Sequence, residues 1–430
     1  MGDTIIALSS GALPSGVAVV RASGPHCTVL AQHLLGDVPP PRRMVRRKIG
    51  GPDNPLDDGL AVYFPGPASF TGEDCLELHL HGSPAVLRAT LRAMTAYDGV
   101  RLADAGEFTR RAFINGKLDL TEVEGIGDLL QAETESQRAQ ALARMAGGIA
   151  DRIGPWRTQL LDLRAEIEAH LDFSDEGDVG PELDPHVYTQ ITALRNDITA
   201  LEASVSGGRI LREGLRVALA GPPNAGKSSL LNALARSELA IVTDEAGTTR
   251  DIREVPIDIN GRLVILLDMA GLRETDSKAE AEGIARARQE IAQADLVLWL
   301  DATDLPAQDP QVPADVPVWR LATKIDLAET IAAQGISARA GTGLDALVRR
   351  LGAFADAAIG TSSGLVSRER DRQSLIAAQQ ALTEALLLRD QPELMAESLR
   401  RASYALERLL GRLDAEAVLD HLFAAFCIGK

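Results

Sequence analysis

The alternation of apolar and polar positions changes character three times along the chain. From residue 1 to about 118, short β-rich runs such as Gly16-Val-Ala-Val-Val-Arg21, Leu60-Ala-Val-Tyr-Phe64 and Leu76-Glu-Leu-His-Leu80 are separated by Gly/Pro-rich breaks. That pattern predicts an α+β or barrel-like domain. From residue 120 to about 211 the segments become long, rich in Ala, Leu, Glu and Arg, and helical in spacing, with an acidic, proline-containing loop at 172–181. At Leu215 buried-strand runs begin to alternate with helices, as in a parallel-sheet α/β unit, and after about Gly360 the chain is helical again. The last helical block is short and resembles the earlier one in composition. We therefore expect the two to pack as one helical domain interrupted by the α/β unit. The boundaries that follow are 1–118, 119–212, 213–360 and 361–430.

Composition narrows the class. The 430 residues are 45% hydrophobic and 24% charged, which suits a soluble multidomain globular protein, and the net charge of -17 opposes nucleic-acid binding through the whole surface. The densest positive run, Arg42-Arg-Met-Val-Arg-Arg-Lys48, reads either as a solvated strand face or as a local contact for nucleic acid or a partner. Cys27, Cys75 and Cys427 have neither disulfide nor zinc spacing, so a reducing cytoplasm is expected. No targeting segment, lipidation box or apolar run of roughly 20 residues suggests export or a membrane. His79 and His81 share a strand face but lack a third ligand nearby, which favours a structural role.

Candidate chemistry concentrates in the α/β unit. The apolar run Arg216-Val-Ala-Leu-Ala220 leads into Gly221-Pro-Pro-Asn-Ala-Gly-Lys-Ser228 and then into a helical segment, the strand–loop–helix context of a phosphate loop. Its glycines let backbone N–H groups surround phosphates, Lys227 supplies a point charge and the Ser228 hydroxyl can ligate Mg²⁺. Downstream, Val264-Ile-Leu-Leu-Asp268 ends in an acid followed by Met269, Ala270 and Gly271, a D-x-x-G element. Between them lies Gly247-Thr-Thr-Arg-Asp251, whose threonines can close a metal shell when the loop orders. Asn260-Gly261 between two apolar runs predicts a tight hairpin.

Guanine selectivity is expected from Thr323, Lys324 and Asp326, with Ser337, Ala338 and Arg339. A carboxylate such as Asp326 can accept from both N1–H and the exocyclic amine of guanine, a donor pair that adenine lacks. Thr323 stands where the usual N-K-x-D pattern has Asn. Leu272 stands where many small GTPases carry the glutamine that orients the attacking water, so other groups must serve. Arg250, Asp251, Arg273, Glu274 and Glu280 are candidates, and each can equally be a solvated switch charge.

These residues, together with Val20-Arg-Ala-Ser-Gly24, Ser69-Phe-Thr-Gly-Glu-Asp74, Leu76-Glu-Leu-His-Leu-His-Gly82, Gly106-Glu-Phe-Thr-Arg-Arg-Ala-Phe113, Asn115-Gly-Lys-Leu-Asp-Leu120, Gly271-Leu-Arg-Glu274 and the terminal Phe426-Cys-Ile-Gly-Lys430, resemble the MnmE (TrmE) family of tRNA-modification GTPases over nearly the whole length. The resemblance implies an N-terminal α+β tetrahydrofolate-binding and dimerising domain, a discontinuous α-helical domain and an inserted Ras-like P-loop G domain. It implies a GTP site formed by Asn224, Ala225, Gly226, Lys227, Ser228 and Ser229, by Thr243, Asp244, Glu245, Ala246, Gly247, Thr248 and Thr249, by Asp268 to Gly271, and by the guanine residues above.

Carried over position by position, the family's K⁺ ligands fall on Asn224, Thr243, Glu245 and Thr248, and its Mg²⁺ ligands on Ser228 and Thr249. Asn224 has a second reading as a turn residue. The water-positioning glutamate falls on Glu280, with Arg250, Asp251 and Cys427 as further catalytic candidates. Arg21, Glu77, Lys117 and Lys430 would hold a tetrahydrofolate derivative in the 5-formyl or 5,10-methylene form. Without the resemblance, Glu77 reads as solvent-facing. The implied activity is potassium-dependent GTP hydrolysis. It is coupled to adding a carboxymethylaminomethyl-type group to C5 of the wobble uridine of certain tRNAs. A homodimer would act with an MnmG-like partner carrying FAD, in a heterotetramer or larger complex. A GTPase binding module in ribosome or RNA assembly is the alternative, and a folate enzyme with a relic GTPase is a third.

Overall fold

The computed structural model describes residues 2–51, 55–172, 183–241, 253–268, 290–310, 312–327, 335–360, 364–411 and 429. The chain divides into two compact units, Met1–Gly127 with Glu407–Lys430, and Asp128–Leu406.

In the first unit the β-rich runs become β1 (Thr4–Leu8), β2 (Ser15–Ser23), β3 (Val45–Ile49), β4 (Asp57–Phe64), β5 (Cys75–Gly82) and β6 (Val100–Leu102), in the order β3-β4-β5-β2-β1-β6. All neighbours are antiparallel except β1 and β6. The sheet ends in two distinct edge strands, so it is open and not a closed barrel. Alternation assigns its faces. Ile6, Val20, Leu76 and Leu78 pack with Leu30 and Leu34 of α1 (Cys27–Leu35) and Met94 of α2 (Pro84–Thr95), while Ile5 and Ala7 pack on Phe108 of α3 (Glu107–Ile114). Helix α2 starts where Ser83 Oγ accepts the Ala85 N–H, with Pro84 in the first turn, where no intrahelical donor is lost.

The helical block supplies α4 (Leu120–Gln131), α5 (Glu135–Met145), α6 (Gly148–Asp172), α7 (Pro185–Ala203) and α8 (Val205–Glu213). In α7 the buried residues Val187, Ile191, Leu194 and Ile198 recur at helical spacing and form one stripe, each worth about 1.5–3 kcal/mol of burial.

The second sheet contains β7 (Leu215–Ala220), β8 (Arg253–Ile259), β9 (Arg262–Asp268), β10 (Leu296–Ala302), β11 (Val318–Thr323) and β12 (Gly335–Ile336), ordered β12-β11-β10-β7-β9-β8. Every pair is parallel except β8 with β9. The turn between those two is Asn260-Gly261 with φ of 54° and 80°, the left-handed pair that a two-residue hairpin requires. The strand expected from residue 316 starts two residues later, because Pro317 has no N–H to offer a ladder. Helices α9 (Lys227–Ala235) and α10 (Leu344–Ile359) contribute Leu230, Leu231, Leu347 and Leu351 to the core of this sheet. Helices α11 (Glu369–Leu387) and α12 (Pro392–Leu409) follow, and α11 meets α7 through a Gln379 to Thr199 hydrogen bond of 3.0 Å.

The strand order, with one antiparallel edge pair and a central strand feeding a phosphate loop, is the Ras-like α/β arrangement. Among the described residues no helix is long and apolar enough to cross a membrane.

Candidate nucleotide site and N-terminal polar cluster

Parallel strands point their C-terminal ends at one crevice, and the phosphate loop opens there. Gly221 leaves β7 with φ of 141°, and a Cβ at that position would stand 2.6 Å from the Leu300 carbonyl oxygen on β10, so only glycine fits. Gly226, with φ of 96°, precedes α9, whose first turn presents amides that have no intrahelical acceptor. Lys227 Nζ donates to the carbonyls of Gly221, at 2.8 Å, and Pro222, at 3.0 Å, which holds the ammonium across the loop mouth. Burial pulls its pKa below the ordinary lysine value, against the opposing pull of the Asp268 carboxylate.

Ser228 Oγ donates to Asp268 Oδ2 at 2.9 Å, and Asp268 is buried at the end of β9. A hydroxyl and a carboxylate oxygen held together at the phosphate end of a helix suit Mg²⁺, which takes few protein oxygens and keeps several waters. Asn224 has φ of 61°. Asn tolerates this left-handed conformation better than most residues, so its turn role accounts for the residue type by itself. Ala225 and Ser229 lie on the same loop and first helical turn.

At the base end, Thr323 Oγ1 donates to the Ala225 carbonyl at 2.6 Å, tying the end of β11 to the phosphate loop. The threonine that departs from the N-K-x-D pattern thus makes a buried contact between the two loops. Lys324 has φ of 58° and its Nζ lies 2.8 Å from Asp304 Oδ2. Asp326 is exposed in the 3₁₀ turn Ile325–Leu327. Ser337 is buried, with its Oγ accepting the Ala340 N–H at 3.1 Å, while Ala338 is half-buried and Arg339 is exposed.

Thr243, Asp244, Glu245, Ala246, Gly247, Thr248, Thr249, Arg250, Asp251, Met269, Ala270, Gly271, Glu280, Cys427 and Lys430 lie outside the described residues. Of the residues expected to hold K⁺, only Asn224 is described.

In the first unit, Arg21 on β2 and Glu77 on β5 stand directly opposite in the ladder, and Arg21 Nε donates to Glu77 Oε1 at 2.9 Å. Glu77 is therefore paired and only partly exposed, unlike the solvent-facing reading of its strand position. The guanidinium lies 5.8 Å from the ring centroids of both Phe70 and Phe108. His79, two residues along the same face, has Nε2 buried with no hydrogen-bond partner among the described residues, 3.6 Å from Glu77 Oε2 and too far to bond it. His81 instead bonds Asp57 at 2.8 Å, and among the described residues no group of three or more His, Cys, Asp or Glu could hold a metal ion.

Lys117 Nζ donates to the Pro67 carbonyl at 3.1 Å, on the 66–74 loop that also carries Phe70. Ser9 Oγ donates to the Gly429 carbonyl at 2.8 Å, where β1 ends. A carboxylate, a cation, an imidazole nitrogen with no partner among the described residues and an aromatic ring converge here, a set of groups that suits a flat heterocycle with amide-like edges and an anionic tail. Phe70 and His79 were not singled out from the sequence for this role. Phe70 lies inside the quoted run Ser69–Asp74, but only the folded 66–74 loop brings its ring to the Arg21 guanidinium.

The comparisons agree with this geometry. The description "GTP-binding protein TrmE N-terminus" matches residues 4–117 and "MnmE helical domain" matches residues 120–427. A protein of Rhodopseudomonas palustris (strain ATCC BAA-98 / CGA009) is 48% identical over 439 residues, covering 100% of this chain and 99% of that protein. One of Azorhizobium caulinodans is 49% identical over 438 residues with the same coverage. Both bear the name tRNA modification GTPase MnmE. The G domain of a T. maritima FeoB iron transporter is 28% identical, covering 33% of this chain and 98% of that one, at a TM-score of 0.25 that carries no weight here. With full-length identity near one half and matches over both flanking domains, the chain belongs to the MnmE family of tRNA-modification GTPases.

Proposed function

We propose that this chain is a potassium-dependent GTP hydrolase which, with an MnmG-like FAD partner, adds a carboxymethylaminomethyl-type group to C5 of the wobble uridine of certain tRNAs, using a tetrahydrofolate one-carbon unit. The carrying observation is the phosphate loop in which Lys227, Ser228 and Asp268 are held by contacts that a nucleotide can replace. On GTP binding, Lys227 exchanges the Gly221 and Pro222 carbonyls for phosphate oxygens, and the amides at the start of α9 surround them. Ser228 and Thr249 would hold Mg²⁺ beside the Asp268 carboxylate, and the ion would supply positive charge at the phosphates. Asp326 reads guanine, and Thr323 fixes the distance between base and phosphate loops.

Position 272 offers no water-orienting amide, so Glu280 takes that role in this reading. Asn224, Thr243, Glu245 and Thr248 would hold K⁺, which would supply positive charge against the negative charge developing on the transferring phosphoryl group. In the first unit Glu77 accepts from the pterin edge, while Arg21, Lys117 and Lys430 receive the carboxylates of the tail. The Ser9–Gly429 hydrogen bond, which ties the end of β1 to the residue before Lys430, supports including Lys430 in this set. The working form is a cytoplasmic homodimer within a larger complex.

Wobble-uridine nucleosides in digested tRNA from a deletion strain test the reading. Loss of the C5 group, restored by the intact chain, is expected. Unchanged nucleosides with altered ribosomal subunit profiles would return the RNA-assembly alternative. GTP turnover should fall at least about tenfold when Na⁺ replaces K⁺.

A further inference from the structure

Helix α5 carries four donor side chains, Ser136, Gln137, Gln140 and Arg144, within one stripe of its surface. Between them they reach backbone carbonyls of three segments: the β8–β9 turn, α8 and the chain at 364–365. Ser136 donates its hydroxyl and its amide, the latter at 3.2 Å, to Gly261 at the tip of the β8–β9 hairpin. Gln137 Nε2 donates to Arg212 at 2.8 Å, three residues before β7. Gln140 Nε2 donates to Gly208 at 3.0 Å and to Gly364 at 2.7 Å. Arg144 donates to Leu365 and lies 3.4 Å from both Ser367 Oγ and Asp371 Oδ2. Gln137, Gln140, Arg144 and Asp371 are all buried.

These acceptors are not scattered. Arg212 marks where the chain passes into the GTPase sheet, Gly364 and Leu365 mark where it returns, and Gly261 caps the strand that ends at Asp268. Apolar side chains would fill a helix interface without the desolvation cost of such a row. A row of satisfied polar contacts instead fixes one arrangement, because a slip leaves several buried groups unbonded at once.

Strand β9 is hydrogen-bonded along both sides, to β7 and β8, so it is a stiff element about 20 Å long between Asp268 and the hairpin tip. At its foot, Arg262 Nε bonds Asp356 of α10 at 3.1 Å, and a Cβ at Gly352 would come within 2.9 Å of Ile259. The tip cannot shift without moving what it touches.

We infer that Ser136, Gln137, Gln140 and Arg144 are positioning residues that make α5 the coupling element between the nucleotide site and the helical return segment. A displacement of Asp268 on metal-nucleotide binding travels along β9 to Gly261, moves the start of α5, and through Gln140 and Arg144 resets residues 364–371 at the head of α11. This rests on the proposed role of Asp268 in GTP binding.

The test is amide hydrogen exchange in the full-length protein, with GDP and with a non-hydrolysable GTP analogue plus Mg²⁺. The amides of Ser367 and Arg368, bonded to Asp371 Oδ2 at 3.2 and 3.3 Å, should exchange at rates differing at least about threefold between the two states. In a Ser136→Ala/Gln140→Met variant that difference should collapse, while GDP affinity stays within about twofold of the parent's. Should Gln140→Met fail to fold, Ser136→Ala with Gln137→Glu serves, since Glu keeps the acceptor that caps Thr134. A difference that persists in the variant, or that is absent in a parent that binds both nucleotides, overturns the inference alone. A parent that binds neither nucleotide overturns the GTPase reading with it.

Discussion

The two six-stranded sheets gather chemistry in different ways. In the largely parallel sheet the polar groups stand at strand ends: Gly221 after β7, Asp268 closing β9 and Thr323 closing β11. Each belongs to a loop whose geometry restricts the residue types, so the motif stays contiguous in sequence. In the antiparallel sheet the polar groups stand mid-strand on one face, and Arg21 meets Glu77 across 56 positions of chain only because β2 and β5 pair in that register. A site at strand ends can be read as words, whereas a site on a sheet face is read only from the pairing.

Removing one group from each site shows whether the other depends on it. Lys227→Ala removes the only side-chain cation that the phosphate loop itself carries, between Gly221 and Ser228. It should lower kcat/KM for GTP by about a hundredfold or more. Binding of a tetrahydrofolate derivative to the same variant, followed by equilibrium dialysis, should be unchanged. A parallel loss of folate affinity would mean that the sites are one system energetically.

The reciprocal change has a smaller expected effect. Arg21→Ala leaves the partly buried Glu77 carboxylate without its 2.9 Å partner, while Phe70 and Phe108 lose the cation beside them. Folate affinity should fall about tenfold, a cost typical of one charge-assisted hydrogen bond, with GTP turnover unaltered. The conservative Arg21→Lys keeps the charge but not the planar fork and should recover only part of the loss. Affinity equal to the parent's in Arg21→Ala would remove this cluster as the folate site.

The same contrast explains what was legible from the sequence. Asn260-Gly261 could be read because a two-residue hairpin demands positive φ at both positions, and Gly221 because no other residue fits beneath Leu300. The pairing of Glu77 with Arg21 was not legible, since an acid on an alternating strand ordinarily faces solvent. Thr323 was legible as a departure from a pattern but not as a contact, because its acceptor is the Ala225 backbone carbonyl. The row on α5 was invisible for the same reason: every residue offers a carbonyl, so such acceptors leave no sequence mark. The barrel alternative for the first domain failed where sequence says least, at whether β3 and β6 meet.

The smallest expected effect separates the units by their response to acid. In the first unit Arg111, almost wholly buried, lies 2.9 Å from Asp3, 3.1 Å from Glu73 and 3.1 Å from Glu107, and Arg101 bonds Asp3 and Glu107 at 2.6 Å each. Burial pushes the Asp3 and Glu107 carboxyls up, but the two guanidiniums outweigh it and hold both below their ordinary values of 3.8 and 4.5. As pH falls, the unfolded chain therefore takes up protons first. The stabilisation is fully present above about 4.5 and drains away as pH drops through the depressed native values.

In the second unit the depressed carboxyls Glu135, Asp304, Glu369 and Glu397 are solvent-exposed, where screening leaves such pairs little weight. Its Lys227 works in the other direction: a buried base with a lowered pKa stabilises the fold as pH rises toward 10.5, not as it falls. All three tryptophans, Trp156, Trp299 and Trp319, lie in this second unit. An acid titration should accordingly lose far-ultraviolet circular dichroism before tryptophan emission shifts, and Glu107→Gln should flatten that early step. Emission and dichroism moving together at every pH would show that the Arg111 cluster gives the first unit no distinct acid sensitivity.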